Sequence, residues 1–177
     1  MKPLRTMGKW AFIVTGSLTA IIGFWGLHNF RLALNGSTSL PENAFLMWAW
    51  PKTIWKGAVI AAYPPEAYSA QFQGLYFTKR VVGMPGDVVR HRDNAVCIEA
   101  TCFPLHMKDG KPFAPPLPAG VIPPGHYAAF GTTADSLDSR YATVGLFDIK
   151  NVIAVGVGTN LLPHWKEIKK WADAKGY

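Results

Sequence analysis

The sequence predicts a mainly β domain behind a single N-terminal membrane helix, and three observations predict it. Residues 10–27 form an uncharged apolar run directly after a basic segment. Beyond that run, the chain breaks into short apolar stretches of strand length, punctuated by proline and glycine. Finally, 177 residues at 49% hydrophobic content hold one well-buried domain plus a membrane segment, not two independent cores.

The N-terminal element comes first. Lys2, Arg5 and Lys9 stand with no acidic residue among them before the apolar run, which is the positive-inside arrangement. As a helix the run spans roughly 27 Å, close to the hydrocarbon thickness of a bilayer. Trp10 at one end and Trp25, His28 and Phe30 near the other suit the membrane interfaces, and Gly16, Gly23 and Gly26 are acceptable within a membrane helix. A cleaved signal peptide is the competing reading. The apolar stretch is longer than the usual signal core, and no small-x-small cleavage site follows before Asn35, so a retained anchor is the better description. Residues 1–9 are then a cytoplasmic tail, 10–28 the anchor, and 35–177 an extracytoplasmic domain.

That domain reads as β. Residues 58–63 form a short apolar run stopped by Pro64-Pro65, and residues 75–77 lead through Lys79-Arg80-Val81-Val82 into the Pro85-Gly86 turn. Residues 88–103 read as a further β region, 127–130 as a core strand and 152–157 as the last strand. Residues 152–162 are too short for a second membrane helix. Pro115, Pro116, Pro118, Pro123 and Pro124 mark an extended surface loop. Residues 165–175 read as a final amphipathic helix with Trp165, Ile168 and Trp171 or Ala172 on one face.

The formal charge of +7 raises the question of nucleic acid. The basic residues are spread along the chain, however, and no helix-turn-helix, zinc-finger or RNP-like pattern accompanies them, so nucleic acid is not the expected partner. His28, His91, His106, His126 and His164 lack the companions that metal-binding motifs require, so neither a metal nor a cofactor is expected. Cys97 and Cys102 flank a four-residue segment in which a two-residue hairpin turn at Glu99-Ala100 would set them opposite one another. A disulfide and two half-buried free thiols both stand as readings, because the turn lacks the usual Asn-Gly or Asp-Gly chemistry.

Three segments carry chemistry. In Ser37-Thr38-Ser39-Leu40-Pro41 the proline stiffens the chain after Ser39, so its hydroxyl is presented as a nucleophile from a restrained turn. Ser37, on the same face of an extended segment, joins the Ser39 backbone N–H as a second oxyanion donor. The plainer reading is an ordinary polar loop. In Lys79-Arg80-Val81-Val82-Gly83-Met84-Pro85-Gly86-Asp87, strand alternation turns either Lys79 or Arg80 toward the apolar side. A lysine placed there loses hydration and becomes a base. In Ser136-Leu137-Asp138-Ser139-Arg140-Tyr141, Ser136 is suited to orient a neutral lysine without adding charge, and Asp138 and Arg140, two apart, are placed to share a face as a buttressing ion pair, although the segment taken alone reads more readily as a solvated polar turn.

In this order the three segments resemble the nucleophile, lysine and final boxes of the type I signal peptidase family. Lys56-Gly57-Ala58-Val59-Ile60 and Pro123-Pro124-Gly125-His126-Tyr127 give smaller matches between them. The resemblance runs from about Asn35 to Asn160. It implies a signal-peptidase-like β-rich catalytic domain with Ser39 as nucleophile, Lys79 as base, Ser37 as oxyanion donor and Ser136 as partner of the lysine. It also implies an enzyme of the bacterial inner membrane facing the periplasm, acting on a membrane-inserted precursor at the lipid bilayer.

Two departures narrow the branch. Ser39-Leu40-Pro41 places proline two positions after the serine, where housekeeping members usually carry Ser-Met-x-Pro-Thr. Gly131-Thr132-Thr133-Ala134-Asp135 replaces their Gly-Asp-Asn-Arg-Asp run. Both are similar to the TraF-type peptidases of conjugative transfer, which implies cleavage and, in some members, cyclisation of a pilin. A general signal peptidase acting on signal-peptide-bearing preproteins is the alternative. A Ser-His-Asp hydrolase built from Ser39, His126 and Asp138 would leave the Lys79 segment unexplained. A noncatalytic membrane-anchored scaffold of a secretion complex is the remaining rival.

Overall fold

The computed structural model describes residues 4–175, with side chains throughout except at 4–8, 166, 172 and 173. Lys2 and the side chains of Arg5 and Ala172, on which the charge and helix-face expectations partly rest, lie outside the described residues. The chain divides into two units, Met1–Phe30 and Arg31–Tyr177.

The first unit is helix α1 (Leu4–Asn29). Its segment Lys9–Asn29 has a mean hydropathy of 1.6, and by length and composition it is able to cross a membrane. Inside hydrocarbon every polar group needs an internal partner. The Thr15 hydroxyl accordingly donates to the Ala11 carbonyl and the Thr19 hydroxyl to the Thr15 carbonyl. At the C-terminal end Asn29 Nδ2 donates to the Trp25 carbonyl at 2.9 Å.

The second unit is mainly β. Its strands are β1 (Phe30–Leu34), β2 (Ala44–Trp48), β3 (Val59–Ala62), β4 (Phe77–Gly83), β5 (Val88–Arg92), β6 (Ala95–Ile98) and β7 (Thr101–Pro104). They continue with β8 (Met107–Lys108), β9 (Lys111–Pro112), β10 (Gly120–Val121), β11 (His126–Phe130), β12 (Phe147–Asp148) and β13 (Val152–Thr159), before helix α2 (Trp165–Lys175). A seven-stranded sheet runs β1-β2-β13-β3-β4-β11-β12, and a four-stranded sheet runs β10-β5-β6-β7.

Strand β3 explains the packing. All four of its residues are buried, because Ile60 and Ala62 enter one apolar cluster with Phe77, Val81 and Phe147 while Val59 and Ala61 enter another with Phe45, Met47 and Ala154. A strand covered on both faces reads as a continuous apolar run, which is how 58–63 reads. At the end of β4, Gly83 leaves room for side chains from both sheets. A Cβ there would lie 2.6 Å from Ile122 Cδ1, 3.0 Å from Ala128 Cβ of β11 and 3.2 Å from Ile98 Cγ2 of β6.

The 88–103 region is β as read from the sequence and resolves into β5, β6 and β7, with Cys97 opposite Cys102 in register. Other elements differ from the sequence reading. The proline segment is not simply a surface loop: β10 pairs with β5, Pro116 bridges Tyr141, and Leu117 and Ile122 are buried. Strands β1 and β2 have no counterpart in the sequence reading. Their short apolar runs lie close behind the apolar helix α1 and show no clean alternation that would set them apart from it.

Candidate active site

Lys79 sits in β4, where burial alternates along the strand with Phe77, Lys79, Val81 and Gly83 buried and the intervening residues less so. The cation that faces inward is therefore Lys79, only 6% exposed. Arg80 points the other way, pairs with Glu42 and donates to the Gly57 carbonyl at 3.0 Å. The Phe77 ring, two residues back on the inward face, lies 5.8 Å from Lys79 Nζ.

Lys79 Nζ lies 3.0 Å from Ser39 Oγ and 2.8 Å from Ser136 Oγ. Loss of hydration on burial lowers its pKa to about 8; the nearby Asp138 carboxylate opposes that shift and the Arg140 guanidinium adds to it. The two hydroxyls reach the amine from distant parts of the chain. Ser39 belongs to the loop between β1 and β2, and Ser136 to the segment after β11.

Both hydroxyls are held by their backbones. The Ser39 carbonyl accepts from Thr132 N at 2.7 Å and from Thr132 Oγ1 at 3.1 Å, which ties the β1–β2 loop to the residues after β11. Leu40, next in sequence, is 3% exposed and anchors the loop in the Phe45 and Met47 cluster. Gly131 makes the close approach of these segments feasible, since a Cβ there would stand 2.7 Å from Ser136 Cβ and 2.9 Å from the Ser39 carbonyl oxygen.

Asp138 and Arg140 are fully enclosed and fully paired. Arg140 Nε donates to Asp138 Oδ1 at 2.9 Å and Nη2 to Oδ2 at 2.6 Å, while Gly131 N donates to the same Oδ2 at 2.8 Å. The guanidinium also donates to the carbonyls of Pro104 and Thr133. A buried ion pair repays its desolvation only when the remaining donors and acceptors are met. Here it pins the segment that carries Ser136.

Ser39, Lys79 and Ser136 open on a cavity of about 610 Å³ with an apolar wall that includes Leu34, Phe45, Phe72, Tyr76 and Leu137. Ser37 also lines it, and Asp135 stands exposed at its margin, where a hydrogen bond from Thr133 holds the carboxyl below the usual range. The Ser37 hydroxyl is engaged within the loop: it accepts from Ser39 N at 3.3 Å and donates to Asn35 Oδ1 at 3.2 Å.

The other candidates lie elsewhere. The His126 ring contacts the Pro124 carbonyl, and the Asp138 carboxylate is taken up by Arg140 and Gly131, so Ser39, His126 and Asp138 do not assemble as a triad. Cys97 and Cys102 form a disulfide across the β6–β7 hairpin. Its turn is made by Glu99 in a left-handed conformation, φ 53°. Among the described residues no cluster of His, Cys, Asp or Glu suits a metal. Asn35, Thr132 and Gly131 were not singled out as site residues from the sequence; only Asn35, ahead of Gly36 and three hydroxyl residues, carried a local turn signal.

Comparison with curated protein sequences gives no significant match. Among solved structures, a signal peptidase I from Enterococcus faecalis matches with a TM-score of 0.38 at 22% identity, covering 61% of this chain and 98% of that one. A family model for signal peptidases, peptidase S26, matches residues 4–165. With nearly the whole chain matched, the protein belongs to the signal peptidase family S26, a family of serine peptidases.

Proposed function

We propose that the protein is a membrane-anchored serine endopeptidase that cleaves a precursor with a Ser39/Lys79 dyad. The observation that carries this reading is a buried amine within 3.0 Å of the Ser39 hydroxyl, with its pKa lowered to about 8. As a neutral base, Lys79 Nζ takes the proton while Ser39 Oγ adds to the scissile carbonyl carbon. The oxyanion gains the Ser39 N–H and the Ser37 hydroxyl. Collapse breaks the C–N bond, the lysine ammonium gives its proton to the leaving nitrogen, and an ester on Ser39 remains. Water then adds with Lys79 again as base, releasing the acid and restoring Ser39. Ser136 orients the amine throughout, and the Asp138–Arg140 pair supports Ser136.

The family is membrane-associated and its substrates are preproteins. For this chain we favour the bacterial inner membrane, with the catalytic domain in the periplasm and a conjugative pilin as substrate. The short Ser39-Leu40-Pro41 spacing and the 131–135 segment support that branch over general signal-peptide removal. Ser39→Ala and Lys79→Ala, assayed separately on a precursor with small residues before the cut, should each abolish processing, while His126→Ala keeps it. Wild-type processing by Lys79→Ala refutes the dyad. Mass analysis of products from a pilin precursor distinguishes a linear from a cyclic product.

A further inference from the structure

The loop that presents Ser39 has no regular structure of its own, yet it is closely held. β1 ends at Leu34 and β2 begins at Ala44, and the buried side chain of Asn35 bonds along the intervening residues. Its Oδ1 accepts from Ser37 N at 3.0 Å and from Ser37 Oγ at 3.2 Å. Its Nδ2 donates to the Leu40 carbonyl at 2.8 Å and to the Glu42 carbonyl at 2.6 Å. All four hydrogen-bonding positions of the amide are used. The Asn35 backbone N–H closes the loop onto the Asn43 carbonyl at 3.0 Å.

We infer that Asn35 is a positioning residue that sets the two oxyanion donors of the Ser39 loop, an inference that rests on the Ser39/Lys79 reading above. In the resting protein both donors are engaged in a chain: Ser39 N–H bonds Ser37 Oγ, whose own proton rests on Asn35 Oδ1. A developing oxyanion is the stronger acceptor, because a hydrogen bond to a full charge is roughly twice as strong as one to a neutral amide. The Ser37 proton therefore leaves the amide for the oxyanion only as charge appears. Stabilisation that grows only at that moment lowers the barrier rather than tightening substrate binding. The neutrality of the Asn35 amide is essential: a carboxylate in its place would hold the Ser37 proton, repel the oxyanion and lose the two donors to Leu40 and Glu42.

The test uses the purified full chain and a precursor peptide with small residues before the cut. Asn35→Ala and Asn35→Asp should each lower kcat by at least about tenfold, with KM changed by less than about twofold. The loss caused by Asn35→Asp should shrink by at least about threefold when Ser37 is already Ala, since the two share one proton. Unchanged kcat, an effect confined to KM, or full additivity with Ser37→Ala overturns the inference. So does unfolding of both Asn35 variants under conditions where Ser39→Ala stays folded, because the amide would then support the domain rather than the donors. Ser39→Ala in the same assay separates the two levels. Residual cleavage there defeats the Ser39/Lys79 reading itself, whereas an inactive Ser39→Ala beside fully active Asn35 variants defeats this inference alone.

Discussion

A lysine amine enclosed beside two hydroxyls loses most of the hydration that favours its charged form, and the Asp138 carboxylate restores only part of it. If Lys79 is the base, kcat/KM rises with pH and levels off above about pH 8, following the neutral amine of the free enzyme. A profile that stays flat across that titration, with chemistry limiting, removes Lys79 from the role. The same shift has a stability consequence of definite sign. Between about pH 8 and the ordinary lysine range the unfolded chain holds a proton that the folded chain has lost, so stability increases with pH through that window. Below it, the full cost of burying the charged amine is present. Urea midpoints of the wild type, taken relative to Lys79→Met at about pH 7 and about pH 10, should therefore move in favour of the wild type at the higher pH.

Segments outside the strands bring Ser39 and Ser136 to Lys79, which sits within β4. β11 carries a register shift between Ala128 and Ala129 just before it delivers Gly131, and irregularities of this kind re-aim the chain beside functional groups. Gly131 then lies against both the Ser39 carbonyl and Ser136. Gly131→Ala should push these two segments apart; a displacement near 1 Å is enough to cost on the order of a hundredfold in rate. Steady-state kinetics check the loss, and a thermal melt checks that the sheet survives. Activity within about twofold of wild type would show that the neighbouring segments relax without disturbing the chemistry. The β6–β7 hairpin lies apart from the cavity lining, so the Cys97→Ala/Cys102→Ala variant should lose about 2 kcal/mol of stability by loop-closure entropy while keeping kcat.

At the scale of the whole molecule, an apolar helix precedes a β domain in one chain of a membrane-associated family. With Lys9 before the apolar span and the domain after it, a reporter that works only outside the cytoplasm should be active when fused to the C-terminus. The intact chain should also stay with membranes through a carbonate wash. A soluble product beginning near Asn35 would show that the helix is a cleaved signal. A precursor held in the same bilayer should be processed more efficiently than the same precursor as a soluble peptide, and equal efficiency would show that membrane presentation contributes little.

The sequence by itself determined what local chemistry can encode. A helix with an uncharged apolar run at 10–27 and strands bounded by Pro and Gly follow from residue type and period, and α2 spans the residues read from its pattern. So does the choice within β4 between two cations, one of which must face inward. The tertiary structure decided which one does, because the clusters on the two sides of β4 differ, and Arg80 finds Glu42 and the Gly57 carbonyl where Lys79 finds two hydroxyls and an aromatic ring. It also decided the distances at the amine, the buried course of the proline segment, and the role of Asn35 in shaping the Ser39 loop. These features depend on groups 40 or 57 residues apart, or on several weak bonds to one side chain, meeting at once. No residue type or spacing fixes such a meeting; it exists only when the packed sheet holds every partner in place.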